Sequence, residues 1–175
     1  ENYPFSIQPD TLLTPEKIMA IFSDYYEDTE YDITKNITIA DSTGKMIKSP
    51  LANPFMPYDM MPLFKINGAW HWRGERSIAR WYCVYSTVIQ LRDFFPNPVG
   101  GVVWFSYDNP ASSIYVPFYC SAKSMPQSYK KDGREGFSRK SAWWAYNRLG
   151  TLAAQRWGEM RYDIYPIRDS LYNQI

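Results

Sequence analysis

The chain is poor in histidine and cysteine, from which zinc and thiol centres are most often built. Its 175 residues include a single histidine, His71, and two cysteines, Cys83 and Cys120. One His and two distant Cys give no zinc-like spacing, so no metal centre is expected. Nor is any other cofactor implied: VGG and DGREG are too sparse in glycine for a phosphate-binding loop. Charge of one sign is also missing, with 19 basic and 18 acidic residues and a net charge of +1. Such a balance offers no global field for nucleic acid or an anionic membrane surface. No apolar run approaches the ~20 residues a membrane helix needs. There is no internal repeat and no low-complexity tract. No starting Met and no signal peptide stand at Glu1. The chain therefore reads as a piece of a longer product, and the compartment, bacterial cytoplasm or exported, stays open. Two cysteines say little about redox environment. They read more simply as buried thiols than as one disulfide.

What the chain does have is aromatic side chains: 15 Tyr, 9 Phe and 7 Trp, together 18%. So many rings suit a β-rich core or a contact surface. At this length a single domain over residues 1–175 buries ~70% of its unfolded surface and needs no staples.

Residues 1–13 read as extended and proline-marked. TPEKIMAIFSDYYED then predicts a helix, with Thr14 as N-cap, Pro15 at the first helical position and Glu16 complementing the dipole. Ile18, Ile21, Phe22 and Tyr25 fall on one apolar stripe. Residues 27–69 read as mostly loop, with ADSTGK as a turn and four prolines in SPLANPFMPYDMMP. Residues 79–92 read as strand. VGGVVWFSYD, DNPAS and SIYVPFYC read as strand, turn and strand, with Pro117 at an edge or a bulge. A helix is expected from Ser138 to about Arg161, with Tyr146, Leu149, Ala153 and Trp157 in one stripe. A last short helix is expected to start at Pro166. The order predicts an α+β fold with an antiparallel sheet, one face covered by helices.

HWRGERSIARWYC, residues 71–83, concentrates the candidate chemistry. His71 with Cys83 is the obvious thiol pair. A strand over 79–92 would point Cys83 into one face of a sheet, as packing, and no glycine turn or helix start supplies an oxyanion hole. Arg73, Arg76 and Arg80 with Glu75 read either as an exposed ion-pair cluster or as an arginine held against an oxyanion. Trp143-Trp144 and Tyr25-Tyr26 read as core packing, with a peptide or sugar platform as the alternative.

Several stretches together resemble the dipeptidase A family of N-terminal-nucleophile (Ntn) cysteine peptidases, relatives of penicillin V acylase and bile-salt hydrolase. YEDTEYDITKN is similar to that family's Tyr-Glu-Gly-Thr-x-Phe/Tyr-Asp-x-Thr segment, with Asp28 in place of Gly. Its Glu-Arg-Thr-Ile and Gln-x-Arg stretches correspond to Glu75-Arg76-Ser77-Ile78 and Gln90-Leu91-Arg92. Pro96, Gly100 and Trp104 follow, then Ser113, Tyr115, Pro117 and Tyr119, then Ser141-Ala142-Trp143-Trp144. The resemblance spans roughly residues 14–160 and belongs to the later part of such an enzyme.

It implies part of an αββα sandwich of antiparallel sheets and an amide hydrolase acting on dipeptides. The nucleophile would be an N-terminal cysteine absent from this chain, and neither Cys83 nor Cys120 can be that residue. Arg76 becomes the expected catalytic arginine, with Arg73 and Arg80 as alternatives. Asp28 is expected to tolerate a left-handed backbone. The partners implied are the N-terminal portion of the same enzyme and a dipeptide substrate, with neither nucleic acid nor membrane; a homo-oligomer is compatible. A non-catalytic peptide- or carbohydrate-binding module and an inactive structural fragment are the alternative readings.

Overall fold

The computed structural model describes residues 4–55 and 77–175. Residues 4–13 are irregular and exposed. Helix α1 (Pro15–Phe22) begins as its sequence dictates: Thr14 is extended, and its side-chain oxygen accepts from the Lys17 amide at 3.4 Å. The helix ends before Tyr25. Ser23 leaves it and donates to the Pro110 carbonyl at 3.0 Å, so Tyr25 joins the core from a loop rather than from the helical stripe.

The polar stretch after α1 contains a short hairpin that the sequence hid. Strands β1 (Thr38–Ala40) and β2 (Met46–Lys48) pair antiparallel around the expected ADSTGK turn. The Asp41 carboxylate holds that turn by accepting from the amides of Thr43 and Lys45, and Gly44 supplies φ +85°.

Among the described residues, the main sheet has three antiparallel strands, β3 (Tyr85–Leu91), β4 (Gly101–Tyr107) and β5 (Val116–Tyr119), in the order β3-β4-β5. A single helical turn, α2 (Asn97–Gly100), lies in the β3–β4 connection. The strand expected from residue 79 starts only at Tyr85. Ala79 instead donates to the Asp24 carbonyl at 2.8 Å, and Arg80–Cys83 forms a turn. Pro117 sits in β5, which pairs only with β4 among the described residues, so its missing N–H costs no ladder bond.

After a short turn α3 (Gln127–Lys130), two helices follow: α4 (Ala142–Gln155) and α5 (Trp157–Tyr172). The sequence suggested one helix to about Arg161 and another from Pro166. The break falls instead at Arg156 (φ −144°, ψ 45°), and Pro166 lies inside α5. Burial of Trp157, Arg161 and Ile164 holds α5 through the proline, so tertiary packing overrides a strong local signal.

Helices meet both faces of the sheet, not one. On one face Val88 and Trp104 pack with Met19 of α1, Tyr115 and Tyr172 of α5. On the other, Phe105, Tyr107 and Phe118 meet the Tyr129 ring, and Tyr107 meets Tyr146 of α4. Among the described residues, the helices cover that second face toward β5. Along β3, Tyr85, Ile89 and Leu91 stay open, Leu91 at 84% exposure. A second core forms where Tyr25, Phe55 and Trp157 meet edge to face at 4.9–5.6 Å, with Ala79, Ala111 and Ala153 between the layers. No helix among the described residues is long and apolar enough to cross a membrane.

Gly158, in the first turn of α5, is where two segments touch backbone to backbone. A Cβ there would lie 2.1 Å from the Ser49 carbonyl oxygen and 3.0 Å from that of Pro50. Gly158→Ala improves helix propensity by about 1 kcal/mol, but overpacking costs about 1–3 kcal/mol, and neither carbonyl is a flexible tip. The thermal unfolding midpoint of Gly158→Ala is therefore expected to fall; a rise would show that the two segments are not in contact.

Candidate functional site

The stretch that carries the family resemblance most densely, residues 26–36, places Glu27 and Asp32 in a partly buried polar network. The Glu27 carboxylate takes Arg161 Nε at 2.9 Å and Lys48 Nζ at 3.4 Å on Oε1, and the Tyr25 hydroxyl at 2.5 Å on Oε2. The Tyr25 and Tyr165 hydroxyls lie 2.6 Å apart. Asp32 accepts from Lys48 at 2.9 Å and from the Asp28 amide at 3.2 Å, and its other oxygen accepts from the Thr34 amide and hydroxyl. Burial alone would raise the Asp32 carboxyl; these hydrogen bonds outweigh it and hold the group below its ordinary range. Burial, followed by the bond to Glu27, pushes the Tyr25 phenol far above its ordinary value. Tyr26 and Asp28 are left-handed, at φ 64° and 61°. Asp28, at the position the related enzymes give to Gly, thus adopts the expected backbone. Glu27, Asp32, Lys48 and Arg161 are all paired among themselves, and the network braces the loop against β2 and α5.

The later family-like residues also hold structure. Arg92 Nη2 donates to the Val99 carbonyl at 2.6 Å, and its guanidinium lies 4.8 Å from the Phe95 ring centroid and 5.8 Å from that of Tyr119, closing the β3–β4 connection. Gln90 accepts from the Trp104 indole at 3.2 Å, and the Tyr115 hydroxyl meets Ser86 at 2.7 Å. Trp144 donates to the Gly133 carbonyl at 2.8 Å, anchoring the loop before α4.

The arrangement with chemical potential lies elsewhere, in a cleft of about 680 Å³ between the end of β4, the turn before β3 and one side of α4. Trp81, Cys83, Asp108, Asn109, Asn147 and Thr151 line it, among others. Asp108 follows directly on β4 with φ 63°, and its amide donates to the Val84 carbonyl at 3.0 Å. This backbone turns the side chain against α4, where Gly150 leaves room: a Cβ at Gly150 would lie 2.3 Å from Asp108 Oδ2. The residue is 8% exposed. Burial pushes its carboxyl from the ordinary 3.8 up to about 6, against a lowering hydrogen bond from the Asn109 amide. Among the described residues no cation pairs with it. A second cleft of about 650 Å³ runs between α1 and α5, but its arginine, Arg168, lies 3.5 Å from Asp169 and against the Tyr165 ring.

Cys83 shares the first cleft but is a poor nucleophile. It lies in the turn before β3, not within a strand, and its thiol donates to the Tyr85 carbonyl at 3.2 Å. Burial and then the Asp108 carboxylate raise its pKa, the reverse of what activates a cysteine. Both cysteines are free, and Cys120 is exposed rather than buried. Arg80 engages the Tyr82 hydroxyl and ring. His71, Arg73, Glu75 and Arg76 lie outside the described residues. Sequence reasoning missed Asp108 and Asn109. DNPAS gave a turn signal and nothing more, because the burial of Asp108 depends on a glycine far along the chain.

The sequence model of peptidase family C69 matches residues 1–169. The chain belongs to peptidase family C69. Curated relatives include a probable dipeptidase of Latilactobacillus sakei, 22% identical over 160 residues, covering 91% of this chain and 27% of the relative. A probable dipeptidase B of Streptococcus pyogenes serotype M1 is 21% identical over 158 residues, covering 85% of this chain and 29% of the relative. A probable dipeptidase B of Lactococcus lactis subsp. lactis (strain IL1403) is 22% identical over 165 residues, covering 94% and 27%. This C69 chain thus spans less than a third of the length of these relatives. No solved structure matches it.

Asp108 yields a stability prediction whose sign follows from linkage. With the native pKa raised, the native state binds the proton more tightly than the unfolded chain does. Its contribution therefore falls as pH rises from about 4 to about 6 and stays unfavourable above. Asn is at home in the left-handed region and carries no charge. Asp108→Asn is expected to raise unfolding free energy at pH 8 by about 2 kcal/mol, with the gain vanishing below pH ~4. Urea titrations at the two pH values measure it; an equal effect at both would show that the carboxylate is not desolvated.

Proposed function

We propose that this chain is the C-terminal portion of a cysteine dipeptidase, one domain or part of one within an Ntn-hydrolase αββα sandwich. The match to peptidase family C69 over residues 1–169, with relatives named as probable dipeptidases, carries the reading. The antiparallel sheet with helices against both faces is compatible with it. So are the open apolar side chains along β3, which offer a seat for the rest of such an enzyme.

The reaction would be hydrolysis of the dipeptide amide. An N-terminal cysteine, carried by the N-terminal portion of the enzyme outside this chain, supplies the thiol. Its own α-amine, with a pKa near ~8, takes the thiol proton. The thiolate adds to the carbonyl carbon, the C–N bond breaks, and the second amino acid leaves with a proton on nitrogen. Water then cleaves the thioester and releases the first. Arg76 would favour the thiolate and balance charge on the tetrahedral intermediate. No cofactor takes part in this scheme.

The test is expression of the complete coding sequence, with intact masses and dipeptide hydrolysis recorded. The expected outcome is a processed chain that begins with Cys and splits dipeptides, and an Arg76→Ala variant reduced about 100-fold in kcat/KM. A product with no N-terminal Cys and no hydrolysis would refute the dipeptidase reading. Full activity in Arg76→Ala would remove that residue from the mechanism.

A further inference from the structure

Among the described residues, no cation pairs with Asp108. The carboxylate is more than nine-tenths buried, yet it borders an open cleft of about 680 Å³. A carboxylate has about four lone-pair sites, and the backbone amide of Asn109 serves one. Among the described residues no cation and no side-chain donor meets it, so its desolvation is poorly compensated. The position is also expensive to build, since Asp108 is held at φ 63° and Gly150 must lack a side chain. Contrast Asp32, equally buried, which receives Lys48, Thr34 and Asp28.

A bare, desolvated carboxylate that is ionised at neutral pH calls for a cation with several N–H donors. No group of three or more metal-ligating acids, His or Cys occurs among the described residues, which speaks for an organic cation over a metal ion. The rest of the cleft suits a small amino acid derivative. Trp81 and Trp143 provide apolar walls, while the Asn147 amide and the Thr151 hydroxyl offer polar contacts.

We infer that Asp108 is the receptor for a primary ammonium group, the free α-amine of a dipeptide lying in this cleft. The inference rests on the dipeptidase reading for the identity of the ligand. Charge pairing with this desolvated carboxylate would restrict the site to peptides with an unblocked N-terminus. A longer peptide extended in the other direction would lose this contact at any internal residue. Asp108 is thereby a specificity-determining residue and takes no part in bond making.

The test uses the full-length protein and two non-hydrolysable probes, the ketomethylene isostere of leucyl-leucine and its N-acetyl derivative. Calorimetry gives the affinity of each for the wild type, Asp108→Asn and Gly150→Ala. The second variant keeps a good helix former but drives a methyl into the carboxylate's place. The wild type is expected to prefer the free amine by roughly 30-fold, the scale set by losing one partner of a buried charge pair. Asp108→Asn should erase that preference, leaving the acetylated probe unchanged, and Gly150→Ala should reduce it. A preference that survives in both variants overturns the inference. So does an Asp108→Asn enzyme that binds both probes like the wild type but no longer turns over, since the ammonium held would then be the enzyme's own N-terminal amine. A protein that discriminates the probes through Asp108 yet splits no dipeptide would refute the hydrolase reading alone.

Discussion

The contact on which most of the described structure depends is the one between the Glu27 carboxylate and the Arg161 guanidinium. Arg161 is 4% exposed, and a guanidinium keeps its charge at any ordinary pH. Burying it without a partner would cost several kcal/mol. Glu27 meets that cost while also receiving Lys48 and Tyr25. One carboxylate therefore ties together the loop after α1, strand β2 and helix α5. The Tyr25–Phe55–Trp157 ring cluster packs beside it, so polar satisfaction and apolar burial fix the same junction. The backbone must take left-handed turns at Tyr26 and Asp28 to bring Glu27 inward, a local expense that the junction outweighs.

That junction also shapes the cleft. Leu51, Asn53 and Phe55 belong to the segment that follows β2, and they form its wall opposite β4. Asn53 donates to the Ala154 carbonyl at 2.7 Å and accepts from the Phe55 amide at 2.8 Å, fastening this wall to α4. The brace and the recess are thus two consequences of one arrangement. The brace has every charge paired. The recess keeps one charge bare, at a cost in stability that a binding function would explain.

Much of the local structure was legible. Thr14 and Pro15 announced α1, ADSTGK a turn, and Pro117 an edge position or a bulge. Each of these rests on chemistry within a few residues. The rest was hidden by contacts far apart in sequence. The helix break at Arg156 was masked because Ala153 and Trp157 continue a helical spacing across it. The strand at residue 79 was over-extended because Ala79 gives its amide to Asp24 instead of a neighbouring strand. Residues 27–69 read as mostly loop, and the pairing of Asp32 with Lys48 emerged only with the hairpin. Of the site, the sequence pointed to an arginine cluster at 73–80, of which Arg80 alone is described. The buried acid of the cleft carried no local signal.

Glu27 and Arg161 act as one unit that holds the junction of the described fold. A double-mutant cycle with Glu27→Gln, Arg161→Met and the combined variant, followed by urea unfolding at pH 7, tests it most directly. Glu27→Gln is expected to cost about 3 kcal/mol, because it takes the carboxylate from a buried guanidinium, and Arg161→Met to cost less, because Glu27 is partly exposed and keeps Lys48 and Tyr25. The double variant is expected to cost less than the sum by about 1 kcal/mol or more. Strictly additive losses, or singles that cost nothing, would contradict this.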